Sequence, residues 1–91
     1  MTKVVVYTKE GCHLCENVIE ELQKLSIAHP LDLSSVDITS NADLFQRFKE
    51  TIPVVEIDGR VTLGGAILAN RSTLSAVLGK ALEQEGDAHG Q

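Results

Sequence analysis

Several residue types are scarce or missing from this chain. It has no tryptophan, one methionine, two prolines and two cysteines among 91 residues. Basic residues are also few, since 8 lysines and arginines stand against 13 aspartates and glutamates, for a net charge of −5. Nucleic acids are bound through clustered Lys and Arg, so we expect no nucleic-acid partner. No apolar run approaches the roughly 18 residues of a membrane span, so we expect no membrane partner.

The start of the chain also lacks the features of a signal peptide, because Met1-Thr2-Lys3 leads directly into a short β-type run. We therefore expect a cytoplasmic, reducing environment, in which a pair of cysteines seldom serves as a structural disulfide. Hydrophobic residues make up 43% of the chain, which suffices for one small domain that folds without a structural disulfide bond. We expect a monomer.

The two cysteines stand in one motif, Cys12-His13-Leu14-Cys15, between an apolar run and a helical pattern. Residues i and i+3 of a helix are neighbours, so this pair can close a disulfide without moving the fold. A ring of four residues would stabilise the fold by only about 2 kcal/mol, which favours chemistry over scaffolding. The motif therefore predicts a redox-active dithiol.

The position of each cysteine predicts its role. Cys12 is expected to be the nucleophile, because the N–H groups and dipole of a helix N-terminus lower the pKa of a thiol there. Cys15 lies one turn deeper and would resolve a mixed disulfide formed on Cys12. His13 has two interpretations: protonated, it would favour the thiolate, and as a solvent-facing residue it would have no effect. The alternative function is a module that holds zinc or an iron–sulfur cluster between two protomers.

The rest of the chain predicts alternating strands and helices. The first helix has an apolar face formed by Leu14, Val18, Ile19, Leu22 and Leu25. Asp58-Gly59 indicates a hairpin and Gly64-Gly65 a tight turn. The predicted elements are strand 3–8, helix 12–26, a strand between 33 and 38, a short helix capped within 39–43 that ends near 50, and strands 53–57 and 60–63. The last is a helix capped by Asn70 or Ser72, with its apolar face over 74–82.

This order, βαβαββα, predicts an α/β fold. A right-handed crossover makes the first two strands parallel, and the hairpin adds two antiparallel strands. The result is a four-stranded mixed sheet with helices on both faces. We assign residues 1–84 to this domain and predict that the polar tail, residues 85–91, is disordered.

Three motifs resemble those of the glutaredoxin-like branch of the thioredoxin fold. In the stretch from Val5 to Cys15, a Tyr-Thr-Lys segment leads to the CxxC motif. Thr51-Ile52-Pro53 resembles the Thr-Val-Pro loop of glutaredoxins, and Gly64-Gly65 resembles their glycine turn. The agreement in order and spacing extends over residues 3 to 83, and the Cys-His-Leu-Cys variant is similar to that of small bacterial glutaredoxin-like proteins.

The resemblance implies a thiol-disulfide oxidoreductase that reduces protein or small-molecule disulfides through Cys12 and Cys15. It also implies that Pro53 is cis beside the sulfurs and turns the Ile52 N–H and C=O toward an extended substrate strand. Lys9 would then help to bind the thiol substrate and lower the pKa of Cys12. The substrate-binding residues that the resemblance implies are Lys9, His13, Thr51, Ile52, Pro53, Gly64 and Gly65.

The chain departs from the glutaredoxin pattern at the site for the electron donor. Glutaredoxins commonly follow the two glycines with a small residue and an Asp that hold the γ-glutamyl end of glutathione, whereas Ala66-Ile67-Leu68 stands here. This leaves glutathione open as a co-substrate, and we expect better turnover with a dithiol donor such as a thioredoxin-reductase system. No cofactor is expected besides the redox-active disulfide. Val6 occupies the position at which thioredoxins bury an Asp below the dithiol.

Overall fold

The structure is a computed structural model that describes the backbone of residues 2–89 and the side chains of residues 2–83. Its elements follow the predicted order βαβαββα, with short 3-10 helices at Ile38–Ser40 and Gly65–Leu68. The strands and α-helices are β1 (Thr2–Thr8), α1 (His13–Leu25), β2 (Leu31–Asp37), α2 (Ala42–Phe48), β3 (Val54–Ile57), β4 (Val61–Gly64) and α3 (Arg71–His89).

The four strands form one mixed sheet in the order β2-β1-β3-β4. β1 and β2 are parallel, with Val4 opposite Leu33. β3 is antiparallel to both β1 and β4, and Val4 lies opposite Ile57 on that side. The prediction of a mixed α/β sheet is confirmed, and the architecture is that of the thioredoxin fold.

The hydrophobic core lies on one face of the sheet, beneath α1 and α3. Val4 and Val6 of β1 are fully buried there against Leu22 of α1 and Leu78 of α3. Successive side chains of a strand point to opposite faces, so Tyr7 lies on the other side of the sheet. The cluster comprises Val4, Val6, Val18, Leu22, Val55, Ile57, Leu68, Leu74, Leu78, Ala81 and Leu82.

The opposite face of the sheet is contacted by α2 through an aromatic pair. The rings of Tyr7 and Phe48 have centroids 4.8 Å apart at an angle of 31°. None of the residues of α2 is buried, so this helix contributes to the site more than to the core. Its first turn is capped by Asn41, whose Oδ1 accepts the N–H groups of Asp43 at 2.8 Å and Leu44 at 3.2 Å.

Some local predictions differ from the structure. Leu14, assigned to the buried face of the first helix, is 40% exposed because it lies in the first turn, between the two cysteines. β2 begins at Leu31, two residues before the predicted segment, because it pairs with β1 along its whole length. Gly65, predicted to form a tight turn with Gly64, instead begins a 3-10 helix.

The C-terminal helix α3 continues into the tail. It extends to His89 and therefore enters the segment 85–91 that the sequence predicts to be disordered, while residues 90 and 91 lie outside the described part. The division at residue 84 stays a prediction. Of the helices within residues 2–89, none combines the length and apolar composition that a membrane span requires.

Candidate functional site

Cys12 occupies the N-cap position of α1. Its backbone is extended (φ −90°, ψ 102°), and its Sγ accepts the N–H of Cys15 at 3.1 Å. Gly11 precedes it with φ +80°, a conformation that glycine adopts without a steric cost, and the Cys12 N–H donates to the Lys9 carbonyl at 3.2 Å. The turn after β1 therefore aims this sulfur at the free N–H groups of the helix start.

The two cysteines form a disulfide. Their Cα atoms are 5.3 Å apart, within the usual range for such a bond. Cys12 is half-buried, whereas Cys15 is fully buried under the first turn of α1. Cys15 is therefore less exposed than Cys12, as its position one turn deeper predicts.

The side chain of His13 lies in solvent at the start of α1. Its side chain is 94% exposed, and its Nδ1 lies 3.3 Å from the carboxylate of Glu16. A second exposed acid, Glu20, pairs with Lys24 at 3.6 Å and with Arg71 at 3.8 Å. The outer face of α1 therefore carries charges of both signs, and the effect of His13 on the thiolate stays a prediction.

The loop before β3 contains the cis peptide bond that the resemblance implies, between Ile52 and Pro53. Pro53 is buried, and it immediately precedes Val54, which pairs with Tyr7 near the end of β1. The loop and the Cys12 turn thus lie at the same end of two neighbouring strands.

The N–H of Ile52 has a partner within the chain. It donates to the carbonyl of Phe48 at 3.0 Å. The carbonyl of Ile52 accepts no backbone hydrogen bond from residues 2–89. The Ile52 N–H is therefore bonded to the end of α2 in this structure, and its pairing with a substrate strand stays a prediction.

The two glycines join the loop to the sheet edge. The N–H of Gly65 donates to the Thr51 carbonyl at 3.0 Å, and φ of +67° at Gly65 favours glycine. At Gly64 the space is tight, since a Cβ atom there would lie 3.2 Å from Cγ2 of Val54. The Thr51 side chain is itself exposed, and its hydroxyl donates to the Phe48 carbonyl at 3.4 Å.

Two residues near the site were not predicted to belong to it. Tyr7 belongs to the Tyr-Thr-Lys segment of the resemblance but was given no role, and Phe48 was predicted only as part of the apolar face of a helix. Their stacking depends on chain pairing that no local pattern reveals. Lys9, which was predicted, is exposed, and within the described part of the chain its ammonium group forms no ion pair. Its role toward substrate stays a prediction.

Among the described side chains, residues 2–83, no group of three or more His, Cys, Asp or Glu residues could hold a metal ion. A zinc or iron–sulfur site shared between two protomers stays the alternative hypothesis.

Fold and site together define a thioredoxin-fold protein with a CxxC pair at the start of its first helix. The chain belongs to the glutaredoxin-like family: the family model described as "Glutaredoxin-like domain (DUF836)" matches residues 3–83. The match covers all three motifs that carry the sequence resemblance.

The individual relatives add no activity. Uncharacterized proteins of Mycobacterium tuberculosis and Mycobacterium bovis are each 35% identical to this chain over 63 residues. The match spans 64% of this chain and 65% of each relative, slightly less than two thirds of their length. A solved structure described as "Structure of a malarial protein" has a similar fold, with a TM-score of 0.58 over 88% of this chain and 96% of that one. The two sequences are 19% identical, so this likeness shows the fold alone.

Proposed function

We propose that this protein is a thiol-disulfide oxidoreductase that reduces disulfides through Cys12 and Cys15. The observation that carries the proposal is the N-cap position of Cys12, whose sulfur already accepts a backbone N–H at 3.1 Å. A thiolate at a helix N-terminus is stabilised by such N–H groups and by the helix dipole. Cys12 is also partly exposed, whereas Cys15 is fully buried, which favours Cys12 as the cysteine that a substrate reaches.

The reaction begins on the reduced protein. The Cys12 thiolate attacks one sulfur of a substrate disulfide R–S–S–R′, forming Cys12–S–S–R and releasing R′S⁻, which takes a proton from water. Cys15 then loses its proton to water and attacks the Cys12 Sγ. The second thiolate RS⁻ leaves, and the Cys12–Cys15 disulfide remains. Two electrons have passed from the protein dithiol to the substrate.

An external thiol donor completes the cycle by supplying two electrons and returning the disulfide to the dithiol. Glutathione and a dithiol donor such as a thioredoxin-reductase system are the two candidates. We propose the dithiol donor, because Ala66 and Ile67 offer no side-chain acceptor for the γ-glutamyl ammonium group. A reducing, cytoplasmic setting with a monomeric protein is part of the same proposal.

The substrates that we propose are disulfides of proteins or small molecules. The exposed Leu14 beside the buried Cys15 offers an apolar contact to a protein partner. In this proposal the entry to Cys12 is surrounded by the substrate-binding residues Lys9, His13, Thr51, Ile52, Pro53, Gly64 and Gly65.

The test separates the two cysteines with matched single variants. Reduced wild type, Cys12→Ser and Cys15→Ser proteins are mixed with bis(2-hydroxyethyl) disulfide or with a peptide disulfide, and the products are identified by intact mass. We expect a disulfide-bonded wild type, a stable mixed disulfide on Cys15→Ser, and no adduct on Cys12→Ser. A mixed disulfide that accumulates on Cys12→Ser instead would reverse the assignment, and unreactive wild type would refute the activity.

A further inference from the structure

The face of the sheet opposite the core carries an open cavity of about 450 Å³. Lys3, Val5 and Tyr7 of β1 line it, because they alternate with the residues of that strand that point into the core. The ring of Phe48 stacks on Tyr7 and borders one end of the cavity. The volume falls within the range of roughly 300 to 1,000 Å³ that is typical of small-molecule pockets.

The two ends of this cavity differ in polarity. At one end the half-buried side chains of Val5 and Val36 lie beside Tyr7, which pairs with Val36 across β1 and β2. At the other end lies the hairpin turn, where Oδ1 of Asp58 accepts the backbone N–H of Lys3 at 2.9 Å. A ligand with an apolar group at one end and polar groups at the other matches this arrangement.

Two opposite charges line the cavity without pairing with each other. Glu56 lies opposite Val5, so it occupies a position diagonal to Lys3 on the neighbouring strand. Diagonal neighbours are about 7 to 8 Å apart, within reach of long side chains. Within residues 2–83, however, neither the Lys3 ammonium nor the Glu56 carboxylate forms an ion pair. Because Glu56 is half-buried, its carboxylate gains from a partner of opposite charge.

We propose that this cavity binds a free α-amino acid with an apolar side chain. The ammonium and carboxylate groups of such a molecule share one carbon atom, so its carboxylate contacts Lys3 while its ammonium group contacts Glu56. Its side chain then lies over Val5 and Val36. The lining includes one ammonium group and two carboxylates, those of Glu56 and Asp58, which disfavours an anionic ligand. Binding here involves neither cysteine and goes beyond the proposed function.

The first test uses the wild-type protein and so does not depend on the folding of a variant. Amide NMR spectra are recorded with L-phenylalanine, with phenethylamine, which lacks the carboxylate, and with phenylpropionate, which lacks the ammonium group. We expect L-phenylalanine to shift the amide signals of Lys3, Val5 and Glu56 and to bind more tightly than either analogue. An analogue that binds as tightly as L-phenylalanine would overturn the proposed contacts. No shift at about 10 mM L-phenylalanine, tenfold above a Kd of about 1 mM, would overturn the site.

The second test removes each charge in turn. Glu56→Gln and Lys3→Met each lose one charge and keep the length of the side chain. Asp32→Asn is the matched control, because Asp32 lies across from Lys3 on β2 but does not line the cavity. We expect the first two variants to bind L-phenylalanine about three- to tenfold more weakly, less than the loss of a buried charge-assisted pair would cause, because the cavity is open to solvent. Unchanged affinity in Glu56→Gln, or an equal loss in Asp32→Asn, would overturn the assignment.

Discussion

In the reduced protein, iodoacetamide should alkylate Cys12 much faster than Cys15. Cys12 is partly exposed at the N-cap of α1, whereas Cys15 is fully buried. An anion at a helix N-terminus is stabilised by about 0.3 to 2 kcal/mol. A stabilisation of roughly 1.4 kcal/mol changes the ionisation constant tenfold. At a pH below its pKa, the fraction of Cys12 present as thiolate should therefore be about two- to thirtyfold larger than that of an ordinary thiol.

The assay uses Cys15→Ser, which leaves only Cys12, and Cys12→Ser, which leaves only Cys15. Each reduced variant is alkylated between about pH 5 and pH 9, with intact mass as the readout and the same variant in urea as its own control. The rate profile of Cys12 should move to lower pH on folding, and Cys15 should react more slowly folded than unfolded. Equal rates for the two folded variants, or a Cys12 profile that folding does not move, would refute the argument from the N-cap.

Three further measurements test the donor site, a surface carboxylate and the core. Ile67→Asp should raise turnover with glutathione about ten- to hundredfold, since a charge-assisted hydrogen bond contributes about 1.5 to 3 kcal/mol. The result would contradict this reasoning if the wild type already turned over strongly with glutathione and the added Asp changed nothing. The pKa of Asp37 is lowered first by the Thr39 hydroxyl, 2.6 Å from Oδ1, and then by the Thr39 N–H, 2.8 Å away. In an NMR titration, Thr39→Val should therefore raise the pKa of Asp37. An unchanged pKa would show that the hydroxyl is not the cause. Because the folded pKa is depressed, the stability that this carboxylate contributes is present above its unfolded pKa and is lost as pH falls through the folded value. Leu22→Ala, at a fully buried position, should lower the free energy of unfolding in urea by about 2 to 5 kcal/mol. Ile27→Ala, at a position 89% exposed, should change it by less than about 0.5 kcal/mol, and similar losses for the two would contradict the assigned core.

Local chemistry was sufficient to predict several features from the sequence. The Asp58-Gly59 pair predicts a hairpin, and both residues have positive φ, 52° and 69°, between antiparallel β3 and β4. The apolar period of α1 predicts the burial of Val18 and Leu22. The CxxC motif after a short strand predicts that Cys12 starts a helix and that Cys15 lies deeper. Each of these depends on residues within a few positions of one another.

The family resemblance added what local chemistry does not contain. A cis bond at Pro53 and its place near the dithiol come from the resemblance of Thr51-Ile52-Pro53 to a known loop, and the cis bond is present. The roles of these residues toward a substrate stay predictions.

The sequence by itself determined the order of elements, the redox motif and the apolar faces, because helical period, turn chemistry and capping act over short stretches of chain. Only the tertiary structure decided that Phe48 stacks on Tyr7 and takes the N–H of Ile52. It also decided that Leu14 stays exposed. The physical reason is that these contacts depend on how strands pair and helices pack across distant parts of the chain, and no local pattern specifies that pairing.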